Sequence, residues 1–294
     1  MDSSDLTGLL ADYLSALSSG APEALGFHTD FRSTENGALV EIGHGLWRRA
    51  PQFGGINSFA DPLTGQAVCM GVVTFEGGRP QPFAQRIQVR GQLILEAEAI
   101  VSSDSHGHFA DAAHLLKPDI IYSAVVPADR RVDREGLRAA ANSYWEGLEQ
   151  SDGMIPCFNY RCDKFDNGAK TTNTLRTLLS PDAKVHSCAS ALNDTRAARP
   201  HARERRFPVL DTELGVAASF VVVDFHPIPD HPRPDAGAMY MLGVFKVVDG
   251  EIRIIDEIRE ILPLKASSGW SRQDGDSGSE LSCSPTRNGW RTRR

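Results

Sequence analysis

The sequence repeats itself, and this repeat restricts the possible folds more than any other feature of the chain. A shift of 131 residues aligns residues 2–37 with residues 133–168 without a gap, and seven of the 36 aligned positions are identical. Chance would give about two identities at ordinary amino-acid frequencies. The identical pairs are Asp2 and Asp133, Leu6 and Leu137, Tyr13 and Tyr144, Leu17 and Leu148, Phe27 and Phe158, Asn36 and Asn167, and Gly37 and Gly168. We therefore interpret the chain as one fold used twice.

Each copy begins with a predicted amphipathic helix. In residues 6–17 the apolar side chains recur at the three- and four-residue spacing of one helix face. Residues 137–148 repeat this pattern, and Asp133 is the predicted N-cap of the second helix. Tyr13 and Tyr144 fall on the apolar faces of the two helices.

Extended segments follow both helices and end at an Asn-Gly pair, which is a strong signal for a hairpin turn. An irregular or short helical stretch comes next, and then three apolar segments that we predict as antiparallel strands. The predicted strands are residues 27–34, 67–75, 83–89 and 93–101 in the first copy and residues 158–165, 216–225, 239–248 and 252–262 in the second. This order predicts the α+β class, with a curved antiparallel sheet wrapped on helices.

Domain boundaries follow from the repeat and from composition. We predict one domain over residues 1–101 and a second over residues 132–265, joined by a connector of residues 102–131. Residues 266–294 are rich in Ser, Gly and Arg without apolar periodicity, so we predict a disordered tail.

Charge and hydropathy argue against two classes of partner. The net charge of −7 leads us to expect no nucleic-acid partner, and the basic runs at residues 196–206 and 287–294 are predicted as solvated loop and tail. No apolar run reaches the roughly 18 residues of a membrane span, and the first residues lack a basic secretory signal. We therefore expect no membrane association and a cytoplasmic protein.

The motifs of both copies resemble those of the NTF2-like, SnoaL-like cone-fold superfamily. The resemblance rests on the helix tyrosines, the first strands with their Asn-Gly turns, the turn at residues 59–65 and the hairpin at residues 245–252. It covers residues 2–101 and 133–263 and implies two fused domains, each a curved antiparallel sheet and helices around a pocket. It further implies that the copies pair as an intramolecular pseudo-dimer. Superfamily members include cofactor-free isomerases, dehydratases, hydrolases, cyclases and lyases, and also non-catalytic binders.

The resemblance also implies which side chains face the pockets. It nominates Tyr13 and Tyr144 on the helices, Asp30 or Glu35 and Asp163 or Asp166 near the first strands, and Asp224 or His226 on a later strand. A phenol can donate a hydrogen bond to a developing oxyanion, and burial raises the pKa of a carboxyl group.

The second copy holds more of these groups and is the preferred site. Strand alternation puts Asp224 and His226 on one face, and an imidazole titrates near neutral pH. Asp163 follows Arg161 on a predicted inward-curving strand. We expect Asp163 or His226 to remove a proton while Tyr144 stabilises the oxyanion. Structural roles stay open for all of them. Tyr144 can be a core residue, Asp163 can form a surface ion pair, and Asp224 or His226 can mark the end of a strand.

The two copies differ at His28, which is matched by Asn159, so one copy can have lost its chemistry. Our candidate substrate-binding residues are Tyr240, Trp47, Phe220 and Arg161, although aromatic side chains serve equally well as core. Cys162 and Cys188 can be a bridge or buried thiols.

We expect no metal and no cofactor. His106, His108, Asp111 and His114 have metal-ligand chemistry, but they lie in the connector without a second ligand set nearby. The chain also lacks a dinucleotide fingerprint and a phosphate-binding loop motif.

These features lead to two functional hypotheses. The first is a cofactor-independent lyase or isomerase, or a related dehydratase, that uses acid–base chemistry on a hydrophobic aromatic or polyketide-derived small molecule. The alternative is a non-catalytic NTF2-like protein that binds small molecules or acts as a scaffold. Homo-oligomer formation stays open.

Overall fold

The computed structural model contains two domains with the same order of strands, and it describes residues 1–103, 106–107, 109–179, 185–226 and 236–270. Domain 1 consists of α1 (Ser3–Ser19), β1 (Phe27–Glu35), β2 (Ala38–Leu39), α2 (Leu46–Arg49), β3 (Gln52–Asp61), β4 (Gln66–Thr74), β5 (Gln81–Arg90) and β6 (Leu93–Val101). The connector holds β7 (His106–Gly107), β8 (Ala110–Asp111) and α3 (Ala112–Leu115). Domain 2 consists of α4 (Arg134–Gln150), β9 (Phe158–Asp166), β10 (Ala169–Lys170), α5 (Leu175–Leu179), α6 (Cys188–Asn193), β11 (His201–Asp211), β12 (Val216–Asp224), β13 (Ala236–Val248) and β14 (Glu251–Pro263).

Each domain has one six-stranded sheet, with strand order β2-β1-β6-β5-β4-β3 in domain 1 and β10-β9-β14-β13-β12-β11 in domain 2. The predicted α+β class and the two fused domains are confirmed. The sheets are mixed rather than purely antiparallel, because β1 pairs with β6 and β9 with β14 in parallel. These partners are separated by most of their domain, so no hairpin forces them to be antiparallel.

The long helices form where the spacing of apolar residues predicts them. Asp133 is the N-cap of α4, and its carboxylate accepts a hydrogen bond from the Gly136 amide at 2.8 Å. Asp2 caps α1 in the same way through a capping box with Asp5. We call the sheet face that packs against the long helix the inner face, and each inner face forms its own apolar core with the helix.

The outer faces of the two sheets pack against each other and form a third apolar core. Tyr122 of the connector and Phe220 of β12 are buried in it. Glu98 of β6 lies in the same interface, where its carboxylate binds Arg86 of β5 and Arg206 of β11. The two domains therefore form one packed unit.

Each Asn-Gly turn is covered by the segment that leaves the other domain. The turns at residues 36–37 and 167–168 have positive φ angles at both residues, as the Asn-Gly pairs predict. The backbone of Asp111, which follows domain 1, lies directly over the turn of domain 2. The backbone of Ser267, which follows domain 2, lies over the turn of domain 1. The segment that follows each domain thus covers the Asn-Gly turn of the other domain.

The first residues of the predicted tail are ordered. The Trp270 indole N–H donates to the Thr34 hydroxyl at 2.7 Å, and its ring lies 4.8 Å from the guanidinium carbons of Arg32 and Arg86. The remainder of the predicted tail, residues 271–294, lies outside the described residues. Within the described ranges, no helix is long and apolar enough to span a bilayer.

Sequence patterns missed β3 and β11. The basic run at residues 196–206, predicted as a solvated loop, partly forms β11, and Arg203, Arg205 and Arg206 each bind a carboxylate there. Both strands contain shifts in pairing register, and Glu204 has a φ of 55°. Bulges and buried ion pairs interrupt the apolar alternation by which a strand is recognised.

Candidate functional site

Domain 2 contains a cavity of about 510 Å³ beside the inner face of its sheet. This volume is within the usual range of small-molecule sites, roughly 300–1,000 Å³. The lining combines apolar side chains, threonine hydroxyls and charged groups. It includes Leu148, Leu192, Met239 and Met241, Thr171, Thr174, Thr177 and Thr195, and Tyr144, Lys164, Asp166, Lys170, Asp194, Glu257 and Arg259.

Four buried polar residues in this lining form a cluster, which we call the Tyr144–Glu257 cluster. Lys164 and Asp166 are two residues apart on β9 and therefore share a face. Glu257 pairs directly with Asp166 across the parallel β9–β14 ladder, and Tyr144 comes from α4. Each of the four is less than a tenth exposed.

The cluster is held together by short polar contacts. The Tyr144 hydroxyl donates to Glu257 Oε1 at 2.6 Å. Lys164 Nζ lies 2.8 Å from Glu257 Oε2 and donates to Asp166 Oδ1 at 2.6 Å. The two carboxyl groups are thus joined by one ammonium group, and the phenol completes the shell around Glu257.

Burial and neighbouring charges give the two acids different proton affinities. Burial is the main effect on Glu257, and it outweighs Lys164 and raises the pKa of Glu257 to about 7. Burial would also raise the pKa of Asp166, but Lys164 and Arg259 more than offset this and lower it. Burial and the adjacent Glu257 carboxyl raise the pKa of Tyr144 well above its usual value. Glu257 can therefore exchange a proton near neutral pH while Asp166 stays ionised and Tyr144 stays a donor.

Domain 1 lacks this cluster at the corresponding positions. Because β1 and β6 pair in the same register as β9 and β14, residues can be matched through the ladders. Ser33 stands at the position of Lys164, and Ala99 stands at the position of Glu257. The base-like carboxyl and the ammonium group are thus present in domain 2 only.

In domain 1 the matching tyrosine packs against protein instead. Trp47 of α2 packs edge-on against Tyr13, with ring centroids 5.5 Å apart, and both are buried. Glu35, at the position of Asp166, accepts a hydrogen bond from the Leu46 amide at 2.7 Å and so holds α2 in place. Burial is the main reason why the pKa values of Tyr13 and Glu35 are raised.

Of the predicted catalytic residues, Tyr144 lines the cavity and Asp163 does not. The Asp163 carboxylate binds Lys170 Nζ at 2.7 Å and the Asn173 amide at 2.9 Å. Asp166, which the resemblance offered as the alternative to Asp163, lines the cavity instead. The reason is strand alternation, which turns Lys164 and Asp166 to the inner face.

Asp224 and His226 also lie away from the cavity. Arg203 binds the Asp224 carboxylate with two hydrogen bonds of 2.7 and 2.9 Å. Asp224 shares the face of Val222, which belongs to the interdomain core, and β12 ends before the exposed His226. The expected pair is therefore not formed at the site.

The remaining candidates occupy other parts of the molecule. Tyr13 and Trp47 belong to the core of domain 1, and Phe220 and Tyr240 belong to the interdomain core. His28 is in domain 1, where its Nδ1 accepts a hydrogen bond from the Asp30 amide, and Arg161 is exposed with its guanidinium over the Tyr160 ring. Met239 and Met241 line the cavity, so alternation turns the intervening Tyr240 outward.

Sequence reasoning missed Glu257 and Lys164. One signal was present: two adjacent acids, Asp256 and Glu257, interrupt the apolar strand of residues 252–262. A buried acid needs a partner, so this interruption is typical of a polar site. The partner lies about 90 residues earlier and meets Glu257 only through the parallel ladder.

Two further expectations concern metal ions and cysteines. His108 lies outside the described residues, and the parts of the chain that are described contain no group of three metal-ligand side chains. Cys162 and Cys188 are free thiols whose sulfur atoms lie 2.6 Å apart.

Comparison with known proteins gives one family model and several solved structures. The family model is described as a domain of unknown function, DUF8021, and matches residues 130–259, which lie almost entirely in domain 2. A search of curated protein sequences gives no match.

Three of the similar solved structures each cover about half of this chain. An LEH-like epoxide hydrolase from M. tuberculosis is 12% identical, covers 44% of this chain and 85% of its own, and has a TM-score of 0.32. An NTF-2 like protein of unknown function from Burkholderia xenovorans LB400 is 14% identical, covers 48% and 97%, and has a TM-score of 0.27. A protein of unknown function with a cystatin-like fold from Methylobium petroleophilum PM1 is 12% identical, covers 52% and 86%, and has a TM-score of 0.31.

Proposed function

We propose that domain 2 is a cofactor-independent acid–base enzyme, a lyase, isomerase or dehydratase, that acts on a hydrophobic aromatic or polyketide-derived small molecule. One observation carries this proposal: Glu257 is buried at a cavity between a phenol donor and an ammonium donor. A carboxyl group with a pKa of about 7 can both take up and return a proton at neutral pH.

The proposed reaction begins with removal of a proton from a carbon next to a carbonyl group. The Glu257 carboxylate takes this proton, and the C–H electron pair moves into the carbonyl to give an enolate. Once Glu257 is protonated, the Tyr144 hydroxyl is available to donate to the enolate oxygen. Lys164 keeps Glu257 in place, and Asp166 compensates the charge of Lys164. Return of the proton to another carbon, or loss of a leaving group, completes isomerisation or elimination.

The mutual contacts of the cluster also support the alternative of a non-catalytic binding protein. Glu257, Lys164, Asp166 and Tyr144 all have partners within the cluster before any ligand enters. A polar floor that is already satisfied can orient a ligand without reacting with it.

Deuterium exchange separates the two possibilities because it reports proton removal directly. The protein is incubated in D₂O with 1-tetralone or 1-indanone, and deuterium incorporation next to the carbonyl is measured by mass spectrometry. We expect Glu257→Gln to lower the exchange rate by at least about 100-fold and Tyr144→Phe by roughly 10- to 100-fold. Tyr13→Phe, the matched substitution in domain 1, should leave the rate within about twofold.

The pH profile provides a second test of the same assignment. Glu257 must be ionised to accept a proton, so the exchange rate should rise with pH through about 7 and then level off. A bound ketone that is recovered with no deuterium above the buffer background would favour the binding protein instead.

A further inference from the structure

Arg259 of β14 has a guanidinium group at the cavity without a close oxygen partner in the described chain. Its nearest carboxylate oxygen is Asp166 Oδ1, 3.6 Å from a terminal nitrogen, which is too long for a hydrogen bond. The same nitrogen makes a weak contact of 3.7 Å to the sulfur of Met239. The guanidinium also lies 5.1 Å from the centre of the Phe109 ring. Most of its five N–H donors are therefore open to the cavity.

Three other buried or half-buried arginines in the described residues hold a carboxylate within hydrogen-bond distance. Arg86 binds Glu98 and Glu96, Arg203 binds Asp224, and Arg206 binds Glu98. Asp166 offsets part of the charge of Arg259, but it does not accept a hydrogen bond from the guanidinium. The free N–H donors therefore favour an anionic ligand, because a carboxylate can accept two of them at once.

Lys164 and Lys170, the two lysines among the described residues that line the cavity, are already engaged. Lys164 binds Asp166 and Glu257, and Lys170 binds Asp163 at 2.7 Å. Among the cations of the described lining, Arg259 thus has the most unused hydrogen-bonding capacity.

We propose that Arg259 binds a carboxylate of the ligand, so that domain 2 accepts a hydrophobic carboxylic acid with an aromatic or polyketide-like body. Met239 and Met241 provide an apolar surface next to the guanidinium. Glu257 and Arg259 are two residues apart on one face of β14, so their Cα atoms are about 7 Å apart. A ligand held by its carboxylate at Arg259 therefore presents a nearby carbon to Glu257. This proposal rests on the proposed function for the position of the reacting carbon, but not for binding itself.

Equilibrium binding of two matched probes tests the proposal. The probes are 2-naphthoate and 2-naphthamide, which have the same ring system and differ in charge, and affinities are measured by isothermal titration calorimetry on the full chain. We expect the wild type to bind 2-naphthoate at least tenfold more tightly than 2-naphthamide. Arg259→Met should weaken 2-naphthoate at least tenfold and leave 2-naphthamide within about twofold, whereas Arg259→Lys should weaken 2-naphthoate only about threefold.

Arg253→Met is the matched control, because Arg253 lies on the same strand but does not line the cavity, and its nearest carboxylate oxygens, on Glu251 and Asp249, are 3.6 and 3.8 Å away. It should change neither affinity by more than about twofold. Equal affinity of the wild type for both probes, no binding of 2-naphthoate at millimolar concentration, or equal loss of both probes in the Arg259 variants would overturn the proposal. If Arg259→Met does not fold, the proposal is tested by the preference of the wild type for 2-naphthoate over 2-naphthamide and by the affinities of Arg259→Lys.

The two proposals fail independently in these experiments. Charge-selective binding, together with no deuterium exchange into a ketone that is shown to be bound, would leave Arg259 as the carboxylate-binding residue of a non-catalytic protein. Exchange without charge selectivity would support the acid–base site and reject the carboxylate ligand.

Discussion

Asp256 and Glu257 are adjacent acids on β14 that face opposite sides of the sheet. Glu257 faces the cavity, whereas Asp256 accepts a hydrogen bond of 2.6 Å from the Tyr122 hydroxyl in the interdomain core. Burial is the main cause that raises the pKa of Asp256 to about 7, with smaller effects from Tyr122, Asp119, Glu257 and Lys164. The same kind of side chain thus lies at the proposed reaction site on one face of the sheet and in the interdomain core on the other.

The substitution Asp256→Asn should stabilise the protein increasingly as the pH rises. The raised pKa means that the folded protein keeps a proton that the unfolded chain releases above about pH 4. Wild-type stability therefore falls as the pH rises from about 4 to 7, and Asn, which cannot ionise, removes this loss. Between pH 5 and pH 8 the free energy of unfolding of the variant should gain about 2–4 kcal/mol relative to the wild type, measured by urea denaturation. Parallel pH profiles for the two proteins would contradict the assignment.

Local elements were predictable because their determinants lie close together in sequence. The boundaries of β6 agree with the prediction, and both long helices extend two or three residues beyond their predicted apolar stretches. Both Asn-Gly turns form as expected, since a short turn depends on its own residues. The duplication could also be recognised from the sequence, because the matched residues lie in one gap-free stretch at the start of each copy.

The site was predictable only in part because it depends on strand parity and distant pairing. Taking the wrong face of β9 as the inner face selects Asp163 instead of Asp166, and the same error on β13 selects Tyr240 instead of Met241. The approach of Glu257 to Lys164 depends on a parallel ladder between the first and last strands of the domain. Period-two patterns indicate which residues share a face but not which face is inside.

Substitutions in the turns test how tightly the exchanged segments cover them. Gly168→Ala and Gly37→Ala should each cost about 2–4 kcal/mol, because a Cβ at φ angles of 84° or 81° is strained and also collides with the covering backbone. Gly43→Ala is the matched control: its φ is 81°, but nothing lies within 4 Å of the added carbon, so about 1 kcal/mol is expected. The free energies are measured by urea denaturation. Equal costs at all three positions would mean that the covering segments do not press on the turns.

At the scale of the whole molecule, the two domains should unfold together because Glu98 joins them. Burial favours its neutral form, but Arg206 and Arg86 lower the pKa of Glu98, so its contribution is present above about pH 4.5 and is lost as the pH falls. Glu98→Gln should cost about 3 kcal/mol at pH 7, whereas Glu96→Gln, a more exposed partner of Arg86, should cost less than about 1 kcal/mol.

Cys69 and Cys188 are buried thiols in domains 1 and 2, so their alkylation rates report the opening of each domain. In Glu98→Gln both rates should rise by roughly 100-fold, in line with the lost stability. A rise at Cys69 alone would show that domain 1 opens while domain 2 stays folded.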